Sequence, residues 1–328
     1  MNWKSELYRK AKQIAESYRS KNSVRGVAIG GSVARGTVWK HSDLELLLFV
    51  DAYDPAFDYF NVIDGLGVEI IQIGVPNVQA WIDRHAEDGG IRDALKFPIQ
   101  AYQCRIVHDP DGLISAFKAI YDRSLFDDRI KTIKQEEALA RADERYDIAE
   151  SLLEQGRGNS ALAALRLAVN ELMLAFYWQH GILPRSQNRT VYLLKRHTPK
   201  LGSPDLYVLF TKVFGVTDHP ARMKLELLAA KNDVFDVTKA AWGRNVPEFL
   251  EKACDGQLEW GHGSSILYVY KWCLHTIHFS ELAQGLYDRP EFAERHPDLA
   301  VFLGFDRTDA VQVSAWAEDY SRLRSKLG

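Results

Sequence analysis

The segment AIGGSVARGTVWKHSDLELLLFV, residues 28–50, decides how the fold of this 328-residue chain is interpreted. Its two apolar ends are typical of β-strands, and Gly30-Gly31-Ser32 predicts a tight turn where backbone can approach a ligand closely. The residues after Ser32 could begin a helix, whose amide groups and positive dipole end suit an anion such as a triphosphate. The segment therefore predicts a strand, a ligand-binding turn, a helix and a second strand.

Two carboxylates stand at the start of the second strand, separated from Ser32 by ten intervening residues. Because side chains alternate faces along a strand, Asp43 and Glu45 are expected on the same side. Neighbouring carboxylates repel each other unless a proton or a cation compensates, and Mg²⁺ commonly joins such groups to substrate phosphates. A third acid, Glu69 in GVEIIQI (67–73), joins them if its strand pairs beside residues 43–50. It could then serve as a further metal ligand or as a general base. The arrangement is suited to phosphoryl or nucleotidyl transfer.

The flanking sequence changes its hydrophobic period near residue 122. Before it, residues 3–19 have the period of an amphipathic helix, and helical patterns recur at 78–86 and 91–95. Four short apolar runs are typical of strands, at 24–30, 43–50, 68–74 and 104–108. After it, the pattern is helical, with long segments on either side of Gly156 and further ones at 220–241, 264–285 and 308–326. Ser264 and Asp309 are candidate N-caps. We predict an α+β fold with a domain over 1–122 and an all-α bundle over 123–328.

Composition and charge narrow the class of partner. The chain has 41 Lys+Arg and 44 Asp+Glu, which divide into net charges of −2 for residues 1–122 and −1 for the remainder. Neither half has the basic excess that nucleic-acid binding exploits, so a small-molecule partner is expected. No apolar run is expected to approach the roughly 20 residues that span a membrane, and the charged N-terminus does not match a signal peptide. Three cysteines do not make a disulfide framework, so a reduced, cytoplasmic protein is expected.

A family resemblance follows from these motifs. Gly31-Ser32, then Asp43-x-Glu45 between apolar residues, with a carboxylate on a later strand, resembles the nucleotidyltransferase superfamily that includes DNA polymerase β. Within it, GGSVARG…HSDLELLLFV is most similar to antibiotic nucleotidyltransferases of the kanamycin, streptomycin and lincosamide type. The resemblance covers about residues 24–112 and implies a mixed β-sheet domain with flanking helices. Those enzymes add a C-terminal helical bundle, which the second half of this chain matches in general character only.

The resemblance implies roles for six residues. Asp43, Glu45 and Glu69 would be the catalytic and Mg²⁺-binding acids, with one or two ions, and Gly31, Ser32 and Arg35 would bind the nucleotide phosphates. The implied reaction moves AMP, or another NMP, from ATP or another NTP to a hydroxyl of a small-molecule acceptor, and releases pyrophosphate. The acceptor could resemble an aminoglycoside or a lincosamide, which would make the protein similar to an antibiotic-resistance enzyme. Kanamycin-type relatives are dimeric and take a general base from a glutamate of the helical domain, but no glutamate here can be matched to it.

Other interpretations are open at this point. Asp43 and Glu45 could be a solvated strand face, or the chain could be a catalytically silent nucleotide-binding or antitoxin-like regulatory protein on the same fold. An RNA-modifying nucleotidyltransferase is disfavoured by the two negative domain charges. In WCLHTIH (272–278), Cys273, His275 and His278 suggest a metal, but a packed helix with polar tips explains them better because only the two histidines share a face.

Overall fold

A computed structural model of the chain describes residues 2–40, 42–57, 59–88, 91–184, 187–216, 220–242, 248, 251–252, 255, 259 and 264–327. Within these ranges, a five-stranded mixed sheet with flanking helices is followed by a region that is almost entirely helical. The predicted α+β class, a mixed sheet followed by helices, is confirmed.

The sheet contains β1 (Val24–Ile29), β2 (Leu44–Val50), β3 (Phe60–Ile63), β4 (Leu66–Gly74) and β5 (Arg105–His108). Its spatial order is β3-β4-β2-β1-β5, and β2 and β4 are parallel while the other neighbours are antiparallel. The helices around it are α1 (Trp3–Tyr18), α2 (Gly31–Ala34), α3 (Val75–Asp88) and α4 (Leu113–Ser124), with 3₁₀ turns at Ile91–Lys96 and Ile99–Ala101. The apolar period of the sequence located the strands other than β3.

The two faces of the sheet have separate cores. Even-numbered residues of β2, such as Leu46, pack with Ile14 of α1. On the opposite face, Phe49 meets the ring of Phe117 of α4, with ring centroids 5.7 Å apart. Glu45 has the same parity as Phe49, so it projects from the face that carries α4.

The β3–β4 hairpin was not predicted. Asp64 and Gly65 have φ values of +51° and +72°, which is the left-handed backbone of a two-residue type I′ turn, and Ile63 pairs with Leu66 across it. Asp-Gly between two apolar runs is a recognised signal for such a hairpin. The consequence is an additional strand along the outer edge of β4.

Among the residues that the structure describes, the helical region has eleven further elements. They are α5 (Asp128–Glu154), α6 (Gly158–Gln179), α7 (Gln187–His197), α8 (Pro204–Phe214), α9 (Pro220–Trp242), α10 (Ser264–Ile277), α11 (Phe279–Leu282), a 3₁₀ turn (Leu286–Asp288), α12 (Pro290–Arg295), α13 (Pro297–Leu303) and α14 (Ala310–Arg324). The helix predicted over 264–285 is divided at His278 into α10 and α11. Asp309 caps α14 as predicted, because its side chain accepts a hydrogen bond from Gln312 N at 2.8 Å. Ser264 is instead the first residue of its helix.

Helix α6 is the centre of the bundle. It is the one helix among the described residues that is long and apolar enough to cross a membrane, so the expectation that no segment approaches that length is wrong. However, 94% of its most apolar window is buried within the protein. Helices α8, α10 and α14 pack around it. The helix is therefore apolar on nearly all faces because nearly all of them are buried against the rest of the protein.

The chain forms two compact units. A sheet unit comprises Met1–Lys131 with Glu248–Gly256, and a helical unit comprises Thr132–Pro247 with Gln257–Gly328. The division falls within α5, whereas the boundary predicted from the sequence, at residue 122, falls near the end of α4.

Candidate functional site

The glycine turn after β1 is shaped by the side chain of Glu45. Gly31 has φ of +55°, a conformation that residues with a Cβ rarely adopt, and a Cβ there would lie 1.6–2.0 Å from the atoms of the Glu45 carboxyl group. A Cβ on Gly30 would lie 2.7 Å from the carbonyl oxygen of Gln100. Both positions therefore need glycine because other groups of the sheet unit already occupy the space.

Glu45 is held to this turn by two hydrogen bonds. Gly30 N donates to the backbone carbonyl of Glu45 at 2.7 Å, and Ser32 N donates to Glu45 Oε2 at 3.1 Å. The turn and the carboxylate are thus one assembly. The amide of Ser32, which was expected to bind phosphate, is engaged with Glu45 in this structure.

The sheet brings the second glutamate beside the first. In the parallel pairing of β2 and β4, Glu45 and Glu69 are register partners, so their side chains leave the same face on adjacent strands. Asp43 lies one residue before β2 and is partly buried. From the sequence, Glu69 was predicted to lie near Asp43 and Glu45 only if the two strands pair, because that pairing depends on the tertiary fold.

Tyr59 is a contact that the sequence did not indicate. Its hydroxyl donates a hydrogen bond to Glu69 Oε1, and its side chain is 48% exposed. It directly precedes β3, the edge strand that was not predicted. A tyrosine before a strand carries no local motif, so only the hairpin pairing reveals that it reaches an acid of this site.

The electrostatics of the three acids oppose full ionisation. Burial raises the pKa of Asp43. Burial, and then the charges of Asp43 and Glu69, raise the pKa of Glu45 to about 8, while Arg35 and the Ser32 amide act in the opposite direction. Burial and the charge of Asp43 raise the pKa of Glu69 to about 7, against the hydrogen bond from Tyr59. At neutral pH the cluster therefore retains protons unless a cation replaces them.

Arg35 lies at the end of α2, close enough for its charge to act on Glu45. Its Nη1 donates to the carbonyl oxygen of Tyr102 at 3.4 Å. The structure thus brings Asp43, Glu45 and Glu69 together beside Gly31 and Ser32, with Arg35 as the neighbouring cation.

The donor set fits a hard divalent cation in its chemistry. All three side chains offer carboxylate oxygens, the ligands that Mg²⁺ prefers, and each has a pKa raised by burial or by the others. Among the described residues, no group of three or more His, Cys, Asp or Glu side chains is already drawn together as a metal-binding cluster. Burial is the largest cause of each raised pKa, and the charges of neighbouring acids add to it for Glu45 and Glu69.

The histidines of WCLHTIH have a structural role in the helical unit. Both His275 Nδ1 and His278 Nδ1 lie near the hydroxyl of Tyr287, at 3.2 and 3.1 Å, and Arg166 Nη1 lies 3.2 Å from His275 Nε2. Since arginine can only donate, a neutral His275 accepts at Nε2 and donates from Nδ1 to the hydroxyl of Tyr287. That hydroxyl is then free to donate to His278 Nδ1. Both ring nitrogens of His275 and Nδ1 of His278 take part in this chain of hydrogen bonds, and Cys273 is buried.

Comparisons with known proteins add little to the geometry. No protein-family profile matches the chain, and no curated protein sequence matches it. A solved structure of a nucleotidyltransferase-like protein from Exiguobacterium sibiricum 255-15 aligns over 91% of this chain and 90% of its own, with 14% identity and a TM-score of 0.37. At that level of similarity it carries no argument about activity, which must come from the site itself.

Proposed function

We propose that the protein is a Mg²⁺-dependent nucleotidyltransferase that moves a nucleoside monophosphate from a nucleoside triphosphate to a hydroxyl of a small acceptor. The observation that supports this most is the register pairing of Glu45 with Glu69, next to Asp43 and against the Gly31–Ser32 turn. Three partly buried carboxylates beside a backbone turn that admits no side chain are suited to phosphate chemistry with a bound cation.

The residues would divide the work as follows. Asp43, Glu45 and Glu69 would hold one or two Mg²⁺ ions, which when bound neutralise phosphate charge and make the α-phosphorus more electrophilic. The amides of Gly31 and Ser32 would hold the β- and γ-phosphates after Ser32 N releases Glu45. Arg35 would add positive charge on the same side.

Alternatively, Glu69 would act as the general base instead of binding Mg²⁺, because its pKa of about 7 lies near the working pH. It would accept the proton of the acceptor hydroxyl while that oxygen bonds to the α-phosphorus. The bond from the α-phosphorus to the oxygen of the β-phosphate would break, and pyrophosphate would leave. AMP is the expected group, and a polyol similar to an aminoglycoside or a lincosamide is the expected acceptor class, both from the resemblance of the motifs.

Calorimetric titration with a non-hydrolysable ATP analogue tests this proposal without knowledge of the acceptor. Wild-type protein and Asp43→Ala would each be titrated with and without Mg²⁺. The proposal expects binding that requires Mg²⁺ and disappears in the variant. Absence of binding for ATP and the other three nucleotide analogues would contradict it, as would full Mg²⁺-dependent turnover by Asp43→Asn once an acceptor is found.

One observation favours a second candidate, a catalytically silent nucleotide-binding or antitoxin-like protein. The Ser32 amide is satisfied by Glu45, and the acids retain protons near neutral pH, so the described site can exist without a cation. Nucleotide binding that is equal with and without Mg²⁺ and is unaffected by Asp43→Ala would favour this candidate.

A further inference from the structure

Each glutamate of the acid cluster has one oxygen bound by a donor outside the cluster. For Glu45 this donor is the amide of Ser32, and for Glu69 it is the hydroxyl of Tyr59. A carboxylate anchored at one oxygen has fewer orientations available to the other, which is how outer hydrogen bonds position metal ligands. The two glutamates are thus oriented by different means, one by the turn and one by a side chain.

Tyr59 is fixed in place by the strands around it. Its backbone carbonyl accepts a hydrogen bond from Ile70 N at 2.8 Å, and its ring meets Phe60 edge-on with centroids 4.6 Å apart. The preceding loop is tied to the same strand, because the side-chain amide of Gln72 makes two hydrogen bonds of 2.8 Å with the backbone of Asp54. The hydroxyl is therefore presented to Glu69 by a strand-anchored backbone.

The phenol also keeps its proton under ordinary conditions. An ordinary phenol has a pKa of about 10, so at neutral pH the hydroxyl that contacts Glu69 remains a hydrogen-bond donor. Its half-exposed ring borders the cluster on the side of the edge strand. A donor that persists next to a cluster of carboxylates can orient one of them continuously.

We propose that Tyr59 is a positioning residue for the acid cluster, which orients Glu69 through its hydroxyl for cation binding. The inference rests on the proposed function, since it assigns Glu69 to the cation site. Loss of the hydroxyl should weaken binding of a divalent cation by about 10- to 100-fold, the usual effect of removing an outer partner of a metal ligand.

The test measures Mn²⁺ binding by calorimetry to the full chain and to four variants. Tyr59→Phe removes the hydroxyl but keeps the ring that packs on Phe60, and Tyr53→Phe is the matched control because Tyr53 lies in the same loop and is 74% exposed. Glu45→Gln and Glu69→Gln test the cation site itself. We expect Tyr59→Phe to weaken Mn²⁺ binding at an unchanged melting temperature, and Tyr53→Phe to bind as the wild type does.

Two further readouts separate positioning from a general structural role. Mg²⁺ should perturb the near-ultraviolet tyrosine absorption of the wild type and of Tyr53→Phe, and this perturbation should be lost in Tyr59→Phe. In the Glu69→Gln background, Tyr59→Phe should cause no additional loss of Mn²⁺ affinity, because both changes remove the same interaction.

The outcomes distinguish the two proposals. If the wild type binds Mn²⁺, Glu45→Gln abolishes binding and Tyr59→Phe leaves the affinity unchanged, the role of Tyr59 is refuted while the cation site stands. If the wild type does not bind Mn²⁺, the cation site of the proposed function is refuted and this inference with it.

Discussion

Replacing Gly31 with alanine would place a methyl group where the carboxyl group of Glu45 lies. The Cβ would be 1.6–2.0 Å from three atoms of that carboxyl group, well inside van der Waals contact, and the backbone at this position has φ of +55°. The carboxylate would have to move, and its hydrogen bond from Ser32 N would be lost.

Two effects should lower the free energy of unfolding of Gly31→Ala. Holding alanine in left-handed backbone costs about 1–2 kcal/mol. Losing a hydrogen bond to a charged or partly charged group adds about 1.5–3 kcal/mol. The total, about 2.5–5 kcal/mol, is large beside the roughly 5–15 kcal/mol that stabilises a typical domain.

Gly36→Ala is the matched control. Gly36 also has positive φ, +71°, but a Cβ there would meet only Tyr8 Oη at 3.8 Å, which is ordinary contact. It should therefore show the backbone cost alone, and any gain from a less flexible unfolded chain is common to both variants. The expected difference between Gly31→Ala and Gly36→Ala is about 2 kcal/mol.

The assay is a denaturant titration read by amide hydrogen exchange of peptides from β1 and β2, so that the transition belongs to the sheet unit. In a Glu45→Ala background, Gly31→Ala should cost no more than Gly36→Ala, since the clash is gone. Equal destabilisation by the two glycine variants in the native background would refute the close packing of Gly31 against Glu45.

Two further predictions concern pH and the helical unit. The pKa of Glu45 is about 8 in the folded protein, against 4.5 when unfolded, so the stability should fall as pH rises between about 4.5 and about 8. Melting temperatures measured across that range test this. The Glu45→Gln variant should show a weaker pH dependence. Tyr287→Phe should destabilise the helical unit by about 1–3 kcal/mol, because the buried Nδ1–H of His275 loses its acceptor. Thermal unfolding measures this, and an unchanged stability would contradict the assigned direction of the hydrogen bonds.

The local patterns of the sequence were enough for much of the fold. Short apolar runs located β2 and β4, and the 3.6-residue period located α1, α3, α5, α6, α9, α10 and α14, because both signals depend on neighbours along the chain. Helices α4, α7 and α8 were not predicted. The Asp64-Gly65 turn was also a local signal, and its hairpin was missed because FNVI (60–63) is short. The apolar length of α6 was underestimated.

The sequence by itself determined which residue types are available for chemistry: a glycine turn, two acids of equal parity on one strand and a third on a later strand. Only the tertiary structure decided that the strand of Glu69 lies parallel to that of Glu45 and in register with it. It also decided that Gly31 has no room for a side chain and that Tyr59 reaches Glu69. Periodicity reports the direction of a side chain relative to its own backbone, whereas contacts between distant segments depend on how the strands pair, and no local pattern encodes that pairing.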